Sequence, residues 1–277
     1  MVELIKYQAL GNDYLVLDGI EHLAELLPLL PRLCDRHLGI GSDGLLAFDP
    51  GALSVRVFNP DGSEAQRSGN GLRIVAAHAV LAHAAGERFQ LRTAAGVSAV
   101  RVLEVRGALV ISELDLGRPS FRPADLPARV QGRPRRVHLD TPAGTVEAVL
   151  VSVGNPHCVV LGESVTAERC RELGPHLERH PLFPERVNVQ LAEALDRGRA
   201  RAEIWERGAG YTLASGTSAC AVAAALIREG LVDAEVRVLM PGGELSVRQT
   251  PEGHLVQAGP AQRVCRVEID LDDFGKA

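Results

Sequence analysis

Lysine is nearly missing from this sequence: Lys6 and Lys276 are the only two among 277 residues. That leaves almost no candidate for a Schiff base to a carbonyl substrate or to pyridoxal phosphate. No apolar run approaches the ~20 residues a membrane-spanning helix needs; Leu26 to Leu30 and Ala219 to Ile227 are among the longest. The opening stretch "MVELIKYQALGND" lacks the basic and apolar regions of a signal peptide, so the expected location is the cytoplasm. Strong charge is absent too. A formal net charge of -5 gives no support to binding of nucleic acid or a membrane surface. The five cysteines, Cys34, Cys158, Cys170, Cys220 and Cys265, are odd in number and show no CxxC spacing, which argues against a disulfide framework or a cysteine-held metal.

What is present is ordinary globular material, 46% apolar and 23% charged, in a chain long enough for two domains. Short strand-like runs dominate. "SVRVFN" and "ELSVRQ" alternate apolar and polar residues at period two, and Gly-containing links join many of the runs. This pattern predicts mixed or antiparallel sheets rather than a doubly wound parallel one. Four helices are expected. "EHLAELLPLLPRLCDRH" runs to His37 with prolines that break it, and "VTAERCRELGPHLERH" is amphipathic and exposed. "GNGLRIVAAHAVLAHAAG" and "GTSACAVAAALIREG" are apolar on nearly every face, so both are expected to be buried, with Gly86 and Gly230 as their caps. The Pro-, Arg- and Gly-rich region 115–135 reads as a linker.

The two buried helices share a prelude. "RSGNGLR" at 67–73 opens one and "ASGTSAC" at 214–220 opens the other. A Gly-Asn pair precedes each: Ser68 follows Asn12 by 56 residues, and Ser215 follows Asn155 by 60. Gly-Asn, strands, Ser-Gly and buried helix thus recur in the same order, which reads as a duplicated domain. Coincidence among 28 glycines is the competing explanation.

A helix N-terminus offers unpaired N–H groups and partial positive charge, which suit a carboxylate or phosphate. Glycines at 69, 71 and 216 let a ligand approach the backbone. If two duplicated domains aim such helix starts at one anion, Ser68 and Ser215 flank it from opposite sides. A two-base racemase needs that arrangement, one group taking an α-proton and the other returning one to the opposite face.

The motifs "LGNDY", "GIGSDG", "FNPDGSEAQRSGNG", "VSVGNPHCV", "RVNVQ" and "IWERGAGYTLASGTSACA" follow one another along the chain. In that order the sequence resembles the diaminopimelate epimerase family, cofactor-independent enzymes that interconvert LL- and meso-2,6-diaminopimelate on the way to lysine and peptidoglycan. The resemblance implies an α/β (α+β) fold with two pseudo-symmetric domains, each a mostly antiparallel or mixed sheet wrapped around a central helix. It implies domains of 1–117, joined by the C-terminal strand 263–277, and 118–262. It also implies a homodimer that acts on a small amino-acid substrate with neither cofactor nor metal. Asn12, Asn59, Asn155, Asn188, Glu206 and Arg207 match the family's substrate-binding positions. The amides of Gly69 and Asn70, and of Gly216 and Thr217, would hold the α-carboxylate, with Glu206 and Arg207 at the distal head. His157 and Glu206 would lie beside the catalytic pair. Judged singly, the asparagines read as turn or cap residues and His157 as a structural histidine.

The departures are as informative as the matches. The family's catalytic residues are cysteines, and Ser68 and Ser215 stand in their places. A thiol of pKa ~8.5 can become a thiolate at a helix N-terminus, whereas a hydroxyl needs an adjacent base. Tyr211 replaces a glutamate usual after "GAG", and Gly44 a glutamine found in some members. These differences imply an epimerase that is slow or inactive as written. The alternatives are a divergent racemase of the proline racemase type or a non-catalytic amino-acid-binding homologue.

Overall fold

Alternation in the sequence becomes strand. In Ser54–Phe58, Val55 and Val57 are buried while Arg56 faces solvent; in Gly243–Gln249, Leu245 and Val247 are buried. The computed structural model describes residues 1–65, 68–94, 96–132, 134–162 and 164–275. It divides into two units, Met1–Leu114 with Gly259–Ala277, and Asp115–Ala258.

In the first unit Val2–Ala9 and Asn12–Asp18 form an antiparallel hairpin, turned by Leu10 and Gly11 at positive φ. Asn12–Asp18 then pairs in parallel with Leu45–Asp49, which pairs antiparallel with Ser54–Phe58. A parallel bridge leads on to Arg88–Thr93, followed by antiparallel Gly96–Arg106 and Leu109–Asp115. The long strand Leu255–Ile269 pairs with both Val2–Ala9 and Leu109–Asp115 and so closes the sheet on itself.

The second unit repeats this order. Gly144–Ser152 and Pro156–Leu161 form an antiparallel hairpin through Gly154 at φ 95. Parallel pairing to Asn188–Asp196, antiparallel to Arg199–Glu206, parallel to Glu235–Met240 and antiparallel to Gly243–Gln249 follow in turn. The region 115–135, expected as a linker, is partly sheet edge. Leu116 and Gly117 exchange hydrogen bonds with Leu255, and Ser120 does so with Ser152, so this stretch satisfies backbone groups that would otherwise be orphaned.

Each unit packs its strands around one helix. Gly69–His83 packs against the first four long strands of its unit, and Gly216–Arg228 against six strands of the other. Leu72, Ile74, Val75, Ala76, Ala77 and Ala79 are buried in one, and Ala219 to Leu226 in the other. Both helices are largely apolar because strands cover most of their length, and the alanines let those strands approach closely.

Local details differ from expectation. The helix from Gly69 ends at His83, not near Gly86, and Ala84 takes the left-handed cap at φ 50 with its N–H on Ala79 O. The chain must leave the helix early enough to enter the strand Arg88–Thr93. The expected first helix is three single turns, Leu23–Leu26, Leu27–Leu29 and Leu30–Leu33. Pro28 and Pro31 each remove an amide and restart the turn, and Asp35 Oδ1 stops it before His37 by accepting from the N–H groups of His37 and Leu38, each at 2.7 Å. Ala167–Glu178 is amphipathic, with Cys170, Leu173 and Leu177 buried. Gly230, at φ 73, follows the second central helix. Among the described residues no helix is long and apolar enough to cross a membrane.

Candidate active site

In the first unit Ser68 is the N-cap of the central helix. Its backbone is extended (φ -133, ψ 122), and its Oγ accepts from Gly71 N at 3.0 Å. This is the standard use of serine at a helix start, worth about 1 kcal/mol. The first turn is tied to the Gly-Asn motif, because Asn70 Nδ2 donates to Asn12 Oδ1 at 3.0 Å. The fully buried Arg73 donates to Asn70 Oδ1 at 2.6 Å, which places a positive charge beneath a helix end that already favours anions.

Asn12 in turn donates to Asp43 Oδ2 at 2.6 Å, and behind it lies a charged network. Arg36 bridges Asp13 at 2.6 Å and Asp43 at 2.8 Å, and Lys6 contacts Asp13 at 2.8 Å. Burial alone would raise the Asp13 carboxyl, but Arg36 and Lys6 outweigh it and hold the group below its ordinary range. Burial pushes Asp43 the other way, upward. Lys6 is committed to Asp13 and to Gly41 O at 2.6 Å.

In the second unit Ser215 caps the other helix with φ -146 and ψ 128, but its cap is looser. Ser218 N reaches Oγ at 3.4 Å, and the Thr217 hydroxyl lies at 3.4 Å from the same oxygen. Asn155 Nδ2 donates to Thr217 Oγ1 at 3.5 Å, and Asn155 Oδ1 lies 2.9 Å from His157 Nε2. Gln190 Nε2 is 3.1 Å from His157 Nδ1 and also donates to Ser218 Oγ at 3.0 Å. Burial, with the nearby Arg207 charge adding to it, holds His157 down to about 3, so the ring is neutral. A neutral ring donating from Nε2 to Asn155 and accepting at Nδ1 from Gln190 satisfies both contacts. Both of its nitrogens are therefore occupied by amides rather than by the Ser215 hydroxyl.

The remaining predicted residues divide. Asn188 donates to Pro156 O at 2.9 Å and accepts from Arg207 N at 3.0 Å, fastening three segments of the second unit together. Glu206, half-buried, ends the strand Arg199–Glu206, and its carbonyl accepts from Ala209 N at 3.2 Å. Arg207 is exposed and donates to Glu185 O at 3.1 Å. Asn59 is exposed in a turn, where its side chain donates to Ser63 Oγ at 2.9 Å. The helix starts thus collect Asn12 with Ser68, Gly69 and Asn70, and Asn155 and His157 with Ser215, Gly216 and Thr217. Sequence reasoning missed Lys6, Asp13, Arg36, Asp43 and Gln190 as partners. Asp13, Asp43 and Gln190 did lie inside the motifs "LGNDY", "GIGSDG" and "RVNVQ".

The departures have local explanations. Gly44 has φ +148, and a Cβ there would lie 2.2 Å from Phe58 O, so this backbone has no room for glutamine. Tyr211 donates to Glu203 Oε2 at 2.6 Å beneath the Arg171 guanidinium, 4.0 Å from the ring centroid. Burial pushes the thiol of Cys158, next to His157, up to about 12, and that of Cys170 likewise, so neither of these supplies a thiolate.

A sequence model of the diaminopimelate epimerase family matches residues 4–121 and 149–264. Diaminopimelate epimerase 2 of Nostoc sp. is 38% identical across 99% of this chain and 97% of its own length. The diaminopimelate epimerase of Chromobacterium violaceum is 39% identical across 96% of this chain and 98% of its own. Among solved structures, a probable proline racemase from Agrobacterium radiobacter superposes with a TM-score of 0.70 at 19% identity, covering 100% of this chain and 95% of that one. A phenazine biosynthesis protein from Bacillus anthracis gives 0.68 at 15% identity, covering 97% and 99%. These two show a shared fold of paired, helix-centred sheets. The near full-length sequence matches show more: the chain belongs to the diaminopimelate epimerase family.

Proposed function

We propose that this chain binds LL-2,6-diaminopimelate and epimerises it towards the meso form without pyridoxal phosphate, with Ser68 and Ser215 in the acid and base positions, and that it does so slowly. The observation that carries the reading is the repeated helix start: in each unit a serine caps the central helix while the Gly-Asn asparagine bonds the side chain two residues further on. In this reading the α-carboxylate takes the first-turn N–H groups, and Glu206 and Arg207 take the distal head. One serine oxygen accepts the α-proton, and the other hydroxyl returns a proton to the opposite face of the planar carbanion. Each turnover leaves the two serines with exchanged protonation states, and no other group gains or loses a proton.

The hydroxyl pKa is what slows the reaction. A helix end supplies about 0.3–1 kcal/mol at exposed sites and up to ~2 when partly buried. A hydroxyl lies several pKa units above a thiol, at about 1.4 kcal/mol each, and His157, neutral and engaged by two amides, does not make up the difference.

The test is α-proton exchange in deuterated water with LL- and meso-diaminopimelate, comparing the unmodified chain with Ser68→Cys plus Ser215→Cys. A gain of about 100- to 10,000-fold is expected, the usual range for a restored general base. Brisk exchange by the unmodified chain that survives Ser→Ala at both positions would move the chemistry to other residues. Calorimetric titration that shows binding of proline and none of diaminopimelate would overturn the substrate assignment.

A further inference from the structure

At the end of the first central helix remote from Ser68, Asp18, His78 and His83 come together. Each offers one ligand atom, and the three atoms lie within 4.8 Å of one another. His83 Nε2 is 2.8 Å from Asp18 Oδ1 and 2.9 Å from Oδ2, and His78 Nε2 is 3.4 Å from Asp18 Oδ2. His78 is fully buried, and its Nε2, aimed at this carboxylate, makes no hydrogen bond among the described residues. The direct contact between His83 and Asp18 accounts for the shorter distances. It leaves the buried His78 nitrogen unsatisfied, a costly state for a ring with a carboxylate this near.

We propose that this cluster is a zinc site, with His78 Nε2, His83 Nε2 and one Asp18 oxygen as protein ligands and water completing a tetrahedron. Two imidazoles and a carboxylate suit zinc, whereas magnesium and calcium take oxygen ligands. Bonds of about 2.0–2.1 Å in a tetrahedron put ligand atoms roughly 3.3 Å apart. The His78–Asp18 separation of 3.4 Å already has that value. The His83–Asp18 contact at 2.8 Å has to open slightly, which the partly exposed His83 side chain can do by rotation. Zinc-bound imidazoles ordinarily donate their other N–H to a fixed acceptor. The Tyr7 hydroxyl lies 3.1 Å from His78 Nδ1 in that role. Phe48 packs against both imidazoles, at 5.5 and 5.7 Å between ring centroids, and walls the inner side. Asp18 and His83 are open to solvent and give the ion a route in. The helix has 15 residues, so its two ends are about 20 Å apart, and the site ties sheet to helix without touching the proposed proton transfer.

The experiment uses the full chain, stripped with a chelator, then titrated with zinc by calorimetry and melted with and without the ion. One zinc per chain is expected, with a rise in melting midpoint of about 5 °C at saturating metal. His83→Ala and Asp18→Asn, at solvent-open positions, are each expected to weaken binding at least tenfold, while Cys265→Ser leaves it unchanged. Cobalt in place of zinc is expected to give the visible bands of a tetrahedral nitrogen–oxygen site. Absence of saturable binding at tens of micromolar zinc, binding indifferent to both His83→Ala and Asp18→Asn, or an intense cobalt–thiolate band would each overturn the assignment.

Discussion

The two units use one backbone plan to support different electrostatics. Both place an asparagine from a Gly-Asn turn against the first turn of a serine-capped helix. In the first unit the asparagine leans on formal charges: Asp43, then Arg36, Asp13 and Lys6. In the second it leans on a buried neutral imidazole and an amide, His157 and Gln190. Ser68 is held as a cap at 3.0 Å, whereas Ser215 is held loosely at 3.4 Å. Duplication therefore preserved what the backbone needs, a capped helix start with outward N–H groups. The surroundings diverged, charged in the first unit and neutral in the second.

Separating the serines sharpens that comparison most. If each serves one face, Ser68→Cys alone and Ser215→Cys alone should each accelerate exchange by about 100-fold or more, but on opposite stereoisomers. Deuterium incorporation into LL- and meso-diaminopimelate, followed by mass spectrometry, reads this directly. Acceleration of the same isomer by both variants would break the pairing. Each cysteine is a poorer cap than serine, so each variant should also lose about 1 kcal/mol of stability.

The first unit's network leaves less room for change than the family pattern suggests. Putting glutamine back at position 44 forces a side chain onto a backbone at φ +148, with Cβ 2.2 Å from Phe58 O. Gly44→Gln, and equally Gly44→Ala, should cost about 3 kcal/mol or more, read as a fall in the circular-dichroism melting midpoint. A stable Gly44→Gln protein would mean that the turn after Asp43 can take a different path.

The second unit's neutral network predicts a pH response. His157 is held down to about 3 in the folded chain against an ordinary 6.5. Between these values the unfolded chain binds the proton and the folded one does not, so stability rises with pH there. The contribution is complete above pH 6.5 and is lost as pH falls towards 3, with a slope of up to about 1.4 kcal/mol per pH unit. Trp205 is the only tryptophan and lies in this unit, so its fluorescence during urea unfolding at pH 4 to 7 is the readout. His157→Gln should flatten the slope; an unchanged slope would show that the ring is solvated.

Much of this was legible in the chain. Runs apolar on nearly every face pointed to buried helices, and the ordered recurrence of Gly-Asn and Ser-Gly marked the repeat. Less legible were features set by tertiary contact. Nothing local says that Ala84 rather than Gly86 takes the left-handed turn, because that depends on where the next strand must start. The Arg36–Asp13 and Asn70–Asn12 contacts join residues 23 and 58 positions apart, beyond any periodicity. Asn59 and Asn188 matched motif positions, yet their side chains hold a turn and a three-segment junction, roles that a motif does not distinguish from ligand contact.

The smallest effect concerns Tyr211, where the sequence departs from the family's glutamate. Its hydroxyl donates to Glu203 and its ring supports Arg171, and both partners belong to the outer side of the second unit's sheet and its helix Ala167–Glu178. On that geometry the tyrosine serves packing rather than proton transfer. Tyr211→Phe keeps the ring under Arg171 and removes one hydrogen bond to a charged acceptor, for which a loss of about 1–2 kcal/mol is expected. In the chain carrying both Ser→Cys changes, the same substitution should leave the α-proton exchange rate within about twofold, since general-base contributions are 10²–10⁴-fold when a group takes part. A fall of tenfold or more in exchange, with stability little altered, would place Tyr211 at the reacting centre and remove the distinction drawn between the helix start and the sheet behind it.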